Sequence, residues 1–481
     1  MERIKLFEIL KSFSIREFKE FGKYIHSPFF NESKRLEKFY NILNSGFPEF
    51  DSSKENKEHL FGLLFKKEKY SDKKFRDICS QMGKHAEDFL AQLELKKEPL
   101  ELNRFSLHQI SKRHLDKHFE SKCREIEGLL EKISFKDNYF FFHEYLLKKD
   151  IRQYYACRKP LGKRYEYYKE FGNEVEIFIR HFVLRVLKYF VVLFRHEKEI
   201  SYKFVSPTIE SIMNYVKLKN YDDYPVVSIF FNLLLLFLKK EGADLYFKTK
   251  EIILIHYNYL EKSDLSLVLK EMAYYTLEKI ESGETDFNKE YFIWINKIIE
   301  RGLYIDEEEG GMSTHFFINV VNAGLYMEEI EWTKKFIQKY SDFLTPLNKE
   351  NTILLCYAKL NFEKCNFSES KELAEDINAK DFYFHIFKKV MLIKAHFELK
   401  NFDNVFVISK TLSQILDYDK AIPENILQKY KSFISFTKKM TALKINYDEL
   451  GFKRLKNRMN TEIYIESRDW IRKKLAEISL D

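Results

Sequence analysis

Two histidines with the spacing of metal ligands are the first candidates for chemistry. His114 and His118 stand at i and i+4 in the phrase HLDKH. On a helix that spacing turns both imidazoles to one side, as a zinc site requires. The Glu of an H-E-x-x-H pattern is missing, because Leu115 and Asp116 follow the first histidine, and no third ligand can be named. The pair reads as two histidines on the polar face of a helix. In His26-Ser27-Pro28-Phe29-Phe30-Asn31 a Ser follows a His, which suggests a nucleophile and its base. Adjacent side chains point apart, however, and no glycine cluster accompanies them to build an oxyanion hole. A structural reading fits better: Pro28 stops one helix, Phe29 and Phe30 plug the core, and Asn31 caps the next helix. The other reading is a docking loop. Phosphate-binding loops need closely spaced glycines. The single double glycine, Gly310-Gly311, follows Asp306, Glu307, Glu308 and Glu309. Those carboxylates would repel a phosphate, so the stretch reads as a solvated acidic loop or a loose divalent-cation site. No catalytic residue, cofactor or metal is expected, and an enzyme with a dispersed site is the residual alternative.

Charge is unevenly spread along the chain. Between Lys148 and Lys169 there are eight Lys/Arg against Asp150 and Glu166, with Tyr154, Tyr155, Tyr165, Tyr167 and Tyr168 interleaved. Between Lys429 and Lys474 there are thirteen Lys/Arg against five acids, whereas Glu281–Glu309 carries nine acids against three bases. Cations beside tyrosines can neutralise phosphates and stack unpaired bases, as single-stranded nucleic acid requires. Amphipathic helices produce the same interleaving with no function attached, since charge faces water and aromatics face the core. The candidate contacts for a partner or a nucleic acid are Arg152, Tyr155, Arg158, Lys159, Lys163, Arg164 and Tyr168.

Any such surface must be carried by helices. Gly and Pro together number 22 of 481 residues, less than half of average usage. Tight turns and strand bends need those residues, so long helices with short connections are expected. Hydrophobic residues make up 45% and aromatics 16%, ample for a core and against disorder. A chain this long exceeds what one core supports. The five cysteines are scattered without a C-x-x-C pair, which reads as buried thiols in a reducing compartment. Charges interrupt every apolar run of MERIKLFEILKSFSIREF, and the longest uncharged stretch, Tyr224–Leu238, has 15 residues. No signal peptide, no membrane contact and a cytoplasmic location are therefore expected.

The punctuation divides the chain into residues 1–99, 100–312 and 313–481. Ser14 and Glu17 form a capping box for a helix through about Tyr24. Leu36, Phe39, Tyr40 and Leu43 share one helical face. Ser71 caps a long helix whose apolar stripe runs Phe75, Ile78, Cys79, Met82, Ala86, Phe89, Leu90 and Leu93. Pro99 marks a boundary, and helices then follow with polar breaks near 134–138, 160–162, 201–207, 222–225, 261–264, 281–286 and 306–312. Trp332, Phe367 and Phe402 recur every 35 residues, with Ala323, Ala358 and Ile393 where paired helices would cross. A terminal helix at about Ser467–Leu480 is expected to seal the last apolar face with Trp470 and Ile471.

The period and the turn aromatics resemble tetratricopeptide-like helical hairpins. In that alignment Ile330, Cys365 and Lys400 stand where such repeats carry Gly, and Lys335, Ser370 and Val405 where they carry a small residue. FGKYIHSPFFNESKRLEKFYNIL, DKKFRDICSQMGKHAEDFL and the tail RDWIRKKLAEI resemble a family of bacterial proteins typical of Bacteroidetes, one that implies no activity. The fold class expected is all-α: an N-terminal helical module followed by a tetratricopeptide-like α-solenoid of helix pairs. Such arrays bind partners rather than transform them. The function expected is an adaptor for an unknown protein or peptide, with nucleic-acid binding as the alternative.

Overall fold

The computed structural model describes residues 4–48, 50, 57–66, 68–158, 171–200, 207–219, 221, 223–239, 243–305, 310–378, 381–418 and 424–478. Among them the chain is all-helical, with one isolated parallel bridge between Met312 and Leu344. No described helix is long and apolar enough to cross a membrane. Two compact units emerge, Met1–Ile133 with His143–Glu174, and Ser134–Phe142 with Val175–Asp481.

The first unit is built on α1 (Lys5–Ser12), α2 (Ile15–Ile25), α3 (Lys34–Leu43), α4 (Lys57–Leu64), α5 (Asp72–Lys97), α6 (Pro99–Lys112) and α7 (Asp116–Glu131). Helix α8 (Asn138–Arg158) contributes its residues from His143 onward. The capping box forms as expected: Glu17 N donates to Ser14 Oγ at 3.2 Å and Ser14 N donates to Glu17 Oε2 at 2.8 Å. Ser71 Oγ likewise accepts from Lys74 N, and Phe75, Ile78, Met82, Ala86 and Phe89 are buried on α5. Leu90 breaks the expected stripe and is exposed. Phe18, Phe21, Phe39 and Phe61 join that stripe in one aromatic core.

The loop at His26–Asn31 corrects two expectations. The residue capping α3 is Ser33, whose Oγ accepts from Leu36 N. Asn31 is instead buried, donating to Ile25 O at 2.8 Å and accepting from Ser33 N at 2.9 Å. It thereby satisfies a carbonyl left open where α2 ends. Phe29 and Phe30 do not plug the core. Phe29 is 88% exposed, and Phe30 lies outside, stacked on Tyr24 at 4.3 Å. Once the loop is bolted through Asn31, its aromatics are left pointing outward.

The second unit takes Val175 onward of α9 (Phe171–Ile200), then α10 (Pro207–Lys219), α11 (Pro225–Lys239), α12 (Ala243–His256), α13 (Lys262–Glu281) and α14 (Phe287–Glu300). Pro225 opens α11, the apolar stretch noted above, with Val227, Phe230, Leu233 and Leu234 fully buried. Three hairpins follow: α15 (Thr314–Tyr326) with α16 (Ile330–Tyr340), α17 (Lys349–Glu363) with α18 (Phe367–Asp376), and α19 (Phe382–Glu398) with α20 (Phe402–Tyr418). Helices α21 (Glu424–Ile445), α22 (Glu449–Thr461) and α23 (Arg468–Ile478) come last among the described elements. From α13 to α22 each helix packs on the next, and first helices of successive hairpins also touch, α15 on α17 and α17 on α19. Trp470, Ile471, Leu475 and Ile478 are buried, so the terminal helix seals apolar surface as expected.

The hairpins share one turn but not one period. Each first helix ends on a left-handed residue, Glu328 (φ 58°), Cys365 (φ 62°) or Lys400 (φ 60°). The next residue's N–H reaches back five positions in every case: Glu329 to Gly324 O, Asn366 to Asn361 O, and Asn401 to His396 O, all at 2.9 Å. This is the glycine-type helix stop, made here without glycine. Cys365 and Lys400 occupy it as aligned, but Ile330 does not, because Glu328 precedes Cys365 by 37 residues rather than 35. Ile330, Phe367 and Phe402 therefore open the second helices, and Trp332 lies two residues further along. The small buried position becomes Thr333, Ser370 and Val405, all fully buried, while Lys335 is exposed. Gly324 is needed at the first hairpin because a Cβ there would collide with Thr333 Oγ1 and touch the Trp332 ring.

Candidate functional site

The basic-aromatic segment is only partly a free surface. Arg152 grips Glu174 through two nitrogens, Nε at 2.6 Å and Nη2 at 3.2 Å, and lies 4.7 Å over the Phe171 ring. Arg158 sits 3.9 Å over Tyr154, donates to Ser111 O at 2.7 Å, and contacts His114 Nδ1 at 2.8 Å. Tyr155 donates its hydroxyl to Glu120 at 3.0 Å. These contacts stay within the first unit and tie the side chains of Arg152, Arg158 and Tyr155 to the fold itself. Lys159, Lys163, Arg164 and Tyr168 lie outside the described residues, as do the break at 160–162 and Asp306–Glu309.

Between α6, α7 and α8 a cavity of about 180 Å³ is lined by His108, Ser111, Asp150, Tyr154 and Arg158, among others. Burial raises the Asp150 carboxyl above its ordinary range, opposed by Arg104. Burial and the hydrogen bond to Asp116 push Tyr154 up to about 12. The space is smaller than the roughly 300 Å³ at which drug-sized ligand pockets begin. His114 and His118 form no pair on one helix face: His114 is in the turn before α7 with φ 55°, and His118 lies within α7. No group of three metal-capable side chains occurs among the described residues.

Gly310-Gly311 has a structural reason. Gly310 has φ 68°, and a Cβ on Gly311 would lie 2.8 Å from Phe343 O. That close approach lets Met312 N donate to Phe343 O at 2.6 Å and Thr345 N donate to Met312 O at 3.1 Å.

The arrangement with the most order is a face of the three first helices, legible only in the corrected register. Counting back from each left-handed residue, position −6 is Asn322, Lys359 or Lys394, and position −2 is Tyr326, Glu363 or Glu398. These positions are one helical turn apart and share a side. Lys359 Nζ donates to Asn322 Oδ1 at 2.9 Å, which joins the first two hairpins along this row. Burial lowers the pKa of both Lys359 and Lys394. Lys394, 9% exposed, places its ammonium 4.2 Å over Phe362. Tyr326 and Glu363 are exposed.

The far end of the row is occupied by the chain itself. Glu398 accepts from Trp470 Nε1 at 2.7 Å and pairs with Lys474 at 2.8 Å. Lys429 of α21 spans Glu281 at 2.7 Å and Glu466 at 3.3 Å. Burial opposes its charge, but the two carboxylates outweigh that cost and hold it firmly protonated. Sequence reading missed this row because its residues differ in type from hairpin to hairpin and are offset by 37 and then 35 positions. The signal that could have found it is the stop chemistry of the turns, not the aromatic period. No family model, curated protein or solved structure matches this chain.

Proposed function

We propose that the protein is a cytoplasmic interaction scaffold, a tetratricopeptide-like α-solenoid that holds a partner protein or peptide against the face carrying Asn322, Tyr326, Lys359 and Glu363. The observation that carries this reading is the recurrence of one turn geometry at Glu328, Cys365 and Lys400. It sets polar side chains of successive hairpins in a row, and Lys359 already bridges two of them. Consecutive helix pairs that contact mainly their neighbours use such rows to read extended ligands. The row is mixed in charge, with Glu363 and Tyr326 beside Lys359, which suits a polypeptide more than a uniformly anionic polymer. The nucleic-acid alternative has less support, since Arg152, Tyr155 and Arg158 would first have to release Glu174, Glu120 and Ser111.

The test is photo-crosslinking in native cells with benzoylphenylalanine in place of Tyr326 and, as a control, in place of the exposed Leu347. A discrete adduct at 326 that disappears with Lys359→Glu or Glu363→Lys is expected. Identical adducts from both positions, insensitive to those changes, would overturn the proposal.

A further inference from the structure

The hairpin of α21 and α22 ends in a tip that the packing leaves bare. Ile445 closes α21, Tyr447 lies in the connection, and Leu450 stands near the start of α22; they are 60%, 54% and 65% exposed. Behind the tip stand Lys438 and Lys439 on α21, and Arg454 and Lys456 on α22. Among the described residues no side chain of these four makes an ion pair or hydrogen bond. From Lys438 to Lys456 there are six Lys/Arg against two acids. Both acids are locally engaged: Asp448 caps α22 by accepting from Leu450 N and Gly451 N, and Glu449 pairs with Lys453 at 2.7 Å. At 1.5 Å per residue the free cations lie within about 10 Å of the tip. That is close to the Debye length of about 8 Å at physiological salt, so apolar residues and charge can act on the same surface.

We propose that this tip is a peripheral membrane site, in which Ile445 and Leu450 enter the headgroup–acyl boundary of an anionic bilayer. Lys438, Lys439, Arg454 and Lys456 meet the lipid phosphates. Charge complementarity selects an anionic occupant. Two of the three tip residues, Ile445 and Leu450, are aliphatic and offer no ring face on which a base can stack, which favours lipid over nucleic acid. Tyr447 has the amphipathic ring favoured at the bilayer interface, and lysine stems can lie along apolar surface while their ammonium groups stay in water. Such binding needs no spanning helix, and it departs from the expectation of no membrane contact drawn from hydropathy alone.

The test is flotation of the full chain with vesicles of phosphatidylcholine mixed with phosphatidylglycerol, compared with pure phosphatidylcholine. Binding to the anionic vesicles should exceed binding to the neutral ones at least tenfold. It should fall about fivefold for each of Lys439→Ala and Arg454→Ala, and at least tenfold for Ile445→Ser combined with Leu450→Ser. All four positions are exposed, and an unchanged circular dichroism spectrum confirms that each variant folds. Tyr447→Trp should add a blue-shifted emission component only with anionic vesicles, placing the contact at the tip. Equal binding to both vesicle types, or binding indifferent to the serine changes, overturns the proposal. Tight binding of a single-stranded oligonucleotide that the serine changes leave intact would also overturn it and assign the cations to nucleic acid.

Discussion

Helix α8 and the α21–α22 hairpin both belong to basic stretches, yet α8 turns Arg152 and Arg158 into its own unit. The hairpin instead pairs Lys429, Lys453 and Arg458 with carboxylates and, among the described residues, leaves four other cations free near its tip. On α8, Arg152 and Arg158 are drawn inward by Glu174, Ser111 and the Tyr154 ring, and Lys148 reaches Glu127 at 3.6 Å. On the hairpin, Lys438, Lys439, Arg454 and Lys456 are left without partners among the described residues. Local composition does not separate the two cases. What separates them is whether an adjacent helix presents a carboxylate or carbonyl at the right height. A charge run therefore reports a solvated face only when its neighbours are known.

The contrast can be broken or sharpened by mutation and by acid. The largest effect is expected at Arg152→Ala, which strands the buried Glu174 carboxylate and should cost about 3 kcal/mol. A denaturation midpoint indistinguishable from the parent would show that the α8 cations are as free as those of the hairpin. Next comes the latch at the base of the hairpin. The hydrogen bond from Arg458 is the main reason Glu462 is held down to about 2, with Ser432 and Gln428 helping against burial. A carboxylate whose folded pKa is depressed stabilises the fold above its unfolded pKa, and the benefit is lost as pH falls from about 4.5 towards 2. Glu462→Gln should remove roughly 2 kcal/mol of stability at pH 7 and flatten that acid limb. An equally steep acid limb in the variant would assign it to other carboxylates.

Tyr155→Phe deletes one exposed hydrogen bond to Glu120, and a loss of about 0.5–1 kcal/mol in urea denaturation is expected. Smallest of all, Arg454→Ala and Lys456→Ala should leave stability within about 0.5 kcal/mol of the parent. A loss above about 1 kcal/mol at either would reveal a hidden partner and end the contrast. Thiol reactivity offers a separate check on burial. Cys79, Cys123 and Cys356 are pushed up to about 12 by burial, whereas Cys365 is exposed on its turn. Mass spectrometry after brief alkylation of the native protein should find Cys365 modified and those three spared.

Helices and their ends were legible because they rest on local chemistry. The Ser14–Glu17 box, the Ser71 cap, the core face of α3 and the apolar α11 all appear where spacing placed them. Breaks at 134–138, 222–225, 261–264 and 281–286 coincide with helix ends for the same reason. Misreadings arose wherever a residue had two uses. Asn31 has the right side chain for a cap, but two residues later Ser33 takes that role and leaves Asn31 to close α2. Trp332 matched the spacing of Phe367 and Phe402, but the first turn is displaced by two residues, so an aromatic match concealed the true equivalence of Thr333, Ser370 and Val405.

By itself, then, the sequence determined the helical class of the described residues and most of their helix starts, stops and core stripes, because capping and 3.6-residue periodicity act over a few residues. The tertiary structure alone decided which cations are paired, which aromatics face out at Phe29, and which polar side chains line up across hairpins. Those outcomes depend on contacts between residues tens of positions apart, where a shift of two residues moves a side chain about 200° around its helix.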